Sequence, residues 1–86
     1  MHNAAKNTYS PRTRLVELRR ELGKTQREVA IDLGITQTHL GLLERGKATP
    51  SVDLLFKIAS YYKSDVYEAW PDIAGSRPGS TTTLDK

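Results

Sequence analysis

The 86-residue sequence has no cysteine, and it has no apolar run of the length that crosses a bilayer. Because cysteine is absent, a disulfide framework, a thiol nucleophile and a cysteine-based metal site are excluded. A membrane helix needs about 20 apolar residues, and the start of the sequence, MHNAAKNTYSP, contains no signal-peptide hydrophobic segment. We therefore expect a cytoplasmic protein with no membrane segment, of a length that allows one small domain at most.

Catalytic motifs are missing as well. The sequence contains no HExxH, GxSxG, P-loop or dinucleotide-binding glycine pattern, and such patterns are what bring reactive groups or phosphate-binding amides together. His39 has no second metal ligand at a suitable spacing. We expect no enzymatic activity, no cofactor and no metal site.

The charge of the chain is mildly basic and unevenly distributed. The formal net charge is +3 and the pI is about 9.4, which permits nucleic-acid binding without proving it. Residues 12–47 hold eight basic and five acidic side chains, whereas residues 48–86 hold four basic and five acidic ones. The N-terminal half is therefore the positive end, although a solvated charged surface would have the same composition.

Local start and stop signals predict short helices in the first half of the chain. Ser10 and Pro11 suit the cap and the first position of a helix that Gly23 ends. Residues 25–28, TQRE, have the capping-box form that begins a second helix. Gly34 ends this helix after about two turns, so the chain must change direction abruptly.

The same signals continue through the second half. Thr36 is the N-cap candidate of a third helix that reaches residue 44 or 45, and Gly46 closes it. Ser51 caps a fourth helix, and residues 64–65 cap a short fifth one, which Pro71 should end. No strand-like alternation is long enough to predict a sheet. The fold class expected is all-α, a compact bundle of five short helices with flexible termini.

Apolar residues recur at helical spacing in each predicted helix and define the expected core. They are Leu15, Leu18, Leu22, Val29, Ala30, Leu33, Ile35, Leu40, Leu43, Leu54, Leu55, Ile58, Ala59, Tyr62, Val66, Tyr67, Ala69 and Trp70. Residues 1–9 lack this periodicity, and residues 71–86 are rich in Pro, Gly, Ser and Thr, a composition that cannot offset ordering entropy. We expect a domain over 10–70, between a flexible N-terminal arm, 1–9, and a disordered C-terminal tail, 71–86.

A short helix, a glycine turn and a second short helix with a polar exposed face form the unit that places a helix in the DNA major groove. The stretch from Arg12 to Trp70 closely resembles the Cro and phage-repressor type of helix-turn-helix domain, the XRE-like family. The resemblance rests on Leu18-Arg19, Thr25-Gln26, Ala30, Gly34-Ile35, Glu44-Arg45-Gly46-Lys47 and Pro50-Ser51, in this order and spacing. It implies a lambda-repressor-like bundle.

The resemblance also implies roles for individual residues. Gln26 is similar to the glutamine with which the family clamps the DNA backbone, and Gln37 lies where a side chain projects into the groove. The expected base-reading residues are Gln37, Thr38, His39 and Leu42. The expected phosphate-binding residues are Thr25, Gln26, Arg27, Thr36, Arg45 and Lys47. Arg19 and Glu44 match the positions of a structural salt bridge between the first and third helices.

Several of these residues are also compatible with roles that do not involve DNA. Gln26 can be a solvated glutamine at a helix start, and Arg45 can interact with the C-terminal dipole of its own helix. Leu42 replaces the polar base-reading residue of many relatives, so it can pack on a thymine methyl, turn inward or contact a protein. Gly41 is unexpected inside a helix, where it costs about 1 kcal/mol relative to alanine.

Together these features predict a transcription regulator that binds double-stranded DNA sequence-specifically. We expect a repressor that binds a near-palindromic operator as a homodimer with helix 36–45 in the major groove. By resemblance the dimer contact involves Tyr67 and Trp70, although Trp70 can equally complete the core of the monomer. The alternative is a protein-interaction module with the same fold, such as an antitoxin or anti-repressor, which Leu42 and the modest net charge favour.

Overall fold

The computed structural model describes residues 10–75, and these residues form six α-helices without a strand. The helices are α1 (Thr13–Glu21), α2 (Gln26–Leu33), α3 (Gln37–Glu44), α4 (Val52–Tyr61), α5 (Val66–Ala69) and α6 (Pro71–Ala74). The all-α fold class is confirmed. None of the helices within this range has the length and apolar character needed to span a membrane.

Side-chain caps set the starts of four helices. The Thr25 hydroxyl accepts a hydrogen bond from the Glu28 backbone, and the Glu28 carboxylate accepts one from the Thr25 backbone, so the capping box is complete. The side chains of Thr36, Ser51 and Asp65 accept from the backbone N–H three residues ahead. These bonds satisfy donors that have no partner inside the helix. The predicted starts of the second to fifth helices are therefore confirmed.

The turn between α2 and α3 determines how the two helices cross. Gly34 has the left-handed backbone conformation, with φ of 76°, which glycine adopts at little cost. The Ile35 N–H donates to the Ala30 carbonyl oxygen, and the Ile35 side chain packs against the core. The turn thus holds the start of α3 at a fixed place beside α2.

The predicted start of the first helix is wrong. Helix α1 begins at Thr13, Arg12 is the N-cap without a side-chain cap bond, and Ser10 and Pro11 lie outside the helix. The Arg12 N–H donates to the Glu44 carbonyl oxygen at the end of α3. Residues 10–12 therefore pack against the C-terminal end of α3. A side chain at Gly46 would collide with the Ser10 backbone.

The number of helices also differs from the five predicted. Pro71 follows α5 as expected, but it occupies the first position of α6, where its missing N–H is not needed. Residues 71–74 are therefore helical, although their composition placed them in the tail. The predicted arm, 1–9, and the remainder of the predicted tail, 76–86, lie outside the described residues.

The core is formed by inward-facing residues of α1 to α5. It contains Leu15, Leu18, Val29, Ala30, Leu33, Leu40, Leu43, Ile58, Ala59, Tyr62, Ala69 and Trp70. Leu54, Leu55 and Val66 are partly buried against it. Two predicted core residues lie outside this cluster: Leu22, at the end of α1, is 47% exposed, and Tyr67 is half-buried.

Candidate nucleic-acid interface

Helix α3 presents two distinct faces. Leu40 and Leu43 point into the core and are 1% and 0% exposed. Gln37 and Thr38, in the first turn, are exposed. Apolar packing thus holds the helix in place while its first turn is open to a partner.

The other two residues expected to read bases are less accessible. His39 and Leu42 are both half-buried. The backbone N–H of His39 donates to the Thr36 hydroxyl at 3.0 Å, so this turn of the helix is held by its cap. Gln37 and Thr38 are therefore the most available groups for contact with a base edge.

A buried carboxylate connects α1, α2 and α3. Glu44 Oε2 accepts from Arg19 Nε at 2.8 Å, and Glu44 Oε1 accepts from Arg19 Nη2 at 3.1 Å. Arg19 and Glu44 are 13% and 2% exposed. The salt bridge implied by the resemblance is therefore present and largely buried from solvent. The hydrogen bonds to Glu44 raise the pKa of Arg19, so the guanidinium stays charged.

Gln26, the first residue of α2, joins the same carboxylate. Gln26 Nε2 donates to Glu44 Oε1 at 2.8 Å. An amide nitrogen has two hydrogens, so this bond orients the side chain and leaves one donor and the amide oxygen for another partner. Gln26 is therefore a held, half-buried amide, and not a freely solvated glutamine.

The side chains of Arg45 and Gln26 both lie next to Gly41 of α3. A side-chain carbon at Gly41 would be 3.2 Å from Arg45 Nη1 and 3.8 Å from both polar atoms of the Gln26 amide. The Arg45 guanidinium therefore folds back along α3. Two of the residues expected to bind phosphate, one from each helix, meet at Gly41.

The other residues expected to bind phosphate differ in the contacts that they already make. Thr25 and Thr36 already accept capping hydrogen bonds, so each retains its hydroxyl hydrogen as a donor. Arg27 is exposed and has no carboxylate partner in the described range. Lys47 is exposed, and its N–H donates to the Leu42 carbonyl oxygen.

The comparison with known families agrees with this geometry. The helix-turn-helix family model matches residues 15–68, which is more than half of the chain. The chain belongs to the XRE-type (Cro/C1) helix-turn-helix family. No solved structure matches it significantly.

Several relatives carry the same description. An uncharacterised HTH-type transcriptional regulator of Archaeoglobus fulgidus is 38% identical over 55 residues, covering 64% of this chain and 79% of the relative. One of Methanothermobacter thermautotrophicus is 44% identical over 48 residues, covering 56% and 70%. One of Sinorhizobium fredii is 48% identical over 42 residues, covering 49% and 54%.

Sequence reasoning missed a second polar centre in this helix-turn-helix domain, built around Arg12. Arg12 Nη1 donates to the carbonyl oxygens of Leu43 at 2.7 Å and Ala48 at 2.8 Å, and Arg12 Nε and Nη2 bind Asp72. Its guanidinium carbon lies 5.1 Å from the centre of the Trp70 ring. No local signal marks this role, since every partner lies at least 31 residues away.

Trp70 belongs to the interior of the helix-turn-helix domain. It is fully buried, and its Nε1 donates to the Leu55 carbonyl oxygen at 3.0 Å. Of the two alternatives stated for Trp70, completion of the core is the one observed. Tyr67, the other residue expected in the dimer contact, is half-buried.

Proposed function

We propose that this protein is a transcription regulator that binds double-stranded DNA with α3 in the major groove. The observation that carries the proposal is the division of α3 into a packed face, with Leu40 and Leu43, and an open first turn, with Gln37 and Thr38. The N-terminal residues of a recognition helix are those that contact base edges. The rigid inner face supplies the fixed orientation that such contacts require.

Base reading is assigned mainly to Gln37. Its amide nitrogen can donate a hydrogen bond to N7 of adenine while its amide oxygen accepts one from N6, which makes a bidentate pair. Thr38 can contact either base or phosphate, and Leu42 can pack on a thymine methyl. His39 contributes through its ring, because its backbone N–H is committed to Thr36.

Phosphate binding is assigned to the helix starts and to the end of α3. Gln26, Arg27 and the hydroxyls of Thr25 and Thr36 lie at helix N-termini, where backbone N–H groups and the helix dipole favour an anion. Arg45 and Lys47 add positive charge at the other end of α3. These contacts position the domain without reading sequence.

We further propose that the protein binds a near-palindromic operator as a dimer and represses by blocking a promoter. Helix-turn-helix dimers read two half-sites about 34 to 36 Å apart, one turn of DNA. Tyr67 remains the candidate contact between the two copies, because Trp70 is fully buried.

The proposal is tested by selecting bound sequences from random double-stranded DNA and then comparing two matched variants. Gln26→Ala should weaken operator and unrelated DNA by similar factors, because it removes a phosphate contact. Gln37→Ala should relax discrimination at one base pair in each half-site, by about 1 to 3 kcal/mol. Competition binding against single-base operator variants measures both.

Two results would contradict the proposal. Selection that enriches no sequence, together with affinity that does not fall with salt, would support the alternative of a protein-interaction module that uses the half-buried Leu42. Equal loss for every operator variant after Gln37→Ala would move base reading to Thr38, His39 or Leu42.

A further inference from the structure

Gly41 lies inside α3, at a position where glycine is locally unfavourable. An interior glycine weakens a helix relative to alanine, and Gly41 has no positive φ that would require glycine. Its position therefore has to be explained by its neighbours. A side-chain carbon there would touch the Gln26 amide at ordinary contact distance, but it would be only 3.2 Å from Arg45 Nη1.

We propose that Gly41 is a positioning residue, whose missing side chain lets Gln26 and Arg45 bind the same DNA phosphate. This inference rests on the proposed DNA-binding function. It adds that the two contacts form one site shared by α2 and α3, held together by the bare backbone of α3. A methyl group at this position would require the Arg45 guanidinium to shift by a few tenths of an ångström.

The geometry of Glu44 supports this shared site. Gln26 Nε2 donates one hydrogen to Glu44 Oε1, so the amide is held before DNA arrives, with its second hydrogen still available. A buried carboxylate so close would repel a phosphate if it were unpaired. Arg19 binds both oxygens of Glu44, and its charge offsets that of the carboxylate.

Arg45 supplies the positive charge of the site. It is exposed, and within residues 10–75 no carboxylate pairs with it. Its guanidinium nevertheless lies back over α3 instead of extending into solvent. Arginine binds phosphate oxygens through several N–H groups in a fixed plane, so a shift of its guanidinium by a methyl group disturbs the contact.

The test is Gly41→Ala, because folding and binding should respond with opposite signs. Alanine favours the helix, so the Tm of the full chain should rise or stay unchanged. Affinity for the selected operator should fall about three- to tenfold, the size of effect that corresponds to the coupling energy between residues in contact with each other. The slope of log affinity against log salt should become shallower by up to about 1, the value for one phosphate contact.

A double-mutant cycle with Arg45→Ala separates this mechanism from a general disturbance of α3. In the Arg45→Ala background, Gly41→Ala should cause little further loss of affinity. Ser60→Ala on α4, an exposed helical position remote in sequence from these residues, is the control and should leave binding unchanged.

The outcomes distinguish the inference from the function on which it rests. If wild-type protein enriches no DNA sequence, the proposed function fails. If wild type binds an operator and Gly41→Ala binds it equally well, the inference alone is overturned. The inference is also overturned if Gly41→Ala weakens binding by the same factor with and without Arg45.

Discussion

Arg12 and Arg45 come from the same basic half of the chain, and the structure uses them in opposite ways. Arg12 is 8% exposed, and its guanidinium binds Asp72 and two backbone carbonyl oxygens. Arg45 is exposed, and no carboxylate within the described range pairs with it. One arginine stabilises the fold, and the other is available to a partner.

The comparison shows that net charge is a poor measure of the charge offered to DNA. Arg14 pairs with three glutamates, of which Glu68 is the nearest, Arg19 pairs with Glu44, and Lys24 pairs with Asp32. With Arg12 these make four basic residues, of the eight between residues 12 and 47, that already have carboxylate partners. The salt dependence of DNA binding should therefore reflect fewer charges than the sequence contains, chiefly those of Arg27 and Arg45.

Replacing each arginine by methionine is the strongest way to break this comparison. Arg12→Met should lower the free energy of unfolding by about 3 to 5 kcal/mol, because it removes the charged hydrogen bonds of a nearly buried guanidinium to Asp72 and to two backbone carbonyl oxygens. Arg45→Met should change it by no more than about 0.5 kcal/mol and should weaken DNA binding instead. Urea denaturation and DNA titration of both variants measure the four values. Equal loss of stability in the two variants would refute the contrast.

Glu44 contacts both the Arg12 centre and the candidate DNA-binding site. Its backbone carbonyl oxygen accepts a hydrogen bond from Arg12, and its side chain accepts hydrogen bonds from Arg19 and Gln26. Glu44→Gln keeps the shape but removes the charge that pairs with Arg19. We expect a loss of about 1.5 to 3 kcal/mol in unfolding free energy, the range for hydrogen bonds to charged groups. Thermal melts would check it, and an unchanged Tm would mean that the salt bridge adds no stability.

The smallest expected effect concerns Tyr62, which packs near this pair. Its hydroxyl is buried and has no hydrogen-bond partner within residues 10–75, so Tyr62→Phe should raise stability by up to about 1 kcal/mol. Burial raises the pKa of Tyr62 well above its ordinary value of 10.0. The neutral form is favoured in the fold, so this group's contribution to stability is lost as pH rises above 10.

Melts at neutral and alkaline pH would test both statements about Tyr62. The phenylalanine variant should lose less stability than wild type between pH 7 and pH 11. Tyr61, whose pKa burial also raises, is present in both proteins. A variant that is less stable than wild type at pH 7 would show that the hydroxyl makes a favourable contact.

Sequence predicted the parts of this fold that depend on neighbours along the chain. Helix caps and turns act over a few residues, so the local sequence is enough to predict them. Examples are the caps at Thr25, Thr36 and Ser51 and the turn at Gly34. The start of α1 was missed because it depends on Arg12 meeting the end of α3. Helix α6 was missed because its composition is that of a tail, while contact of Asp72 with Arg12 holds it.

The candidate site divides in the same way. Resemblance implied the Arg19–Glu44 bridge and the exposed position of Gln37. It did not reveal that Gln26 shares the Glu44 carboxylate, or that the Gln26 amide and the Arg45 guanidinium both lie next to Gly41. Both facts depend on how α2 and α3 cross, and the spacing of residues in the sequence does not predict that crossing.

The separation of the two faces of α3 has a consequence for how this protein can change. Exposed residues that do not touch the core contribute little to folding. Gln37 and Thr38 are open, whereas Leu40 and Leu43 complete the interior. A library randomised at 37 and 38 should therefore consist largely of folded proteins, and new operator preferences can arise there by selection without loss of the scaffold.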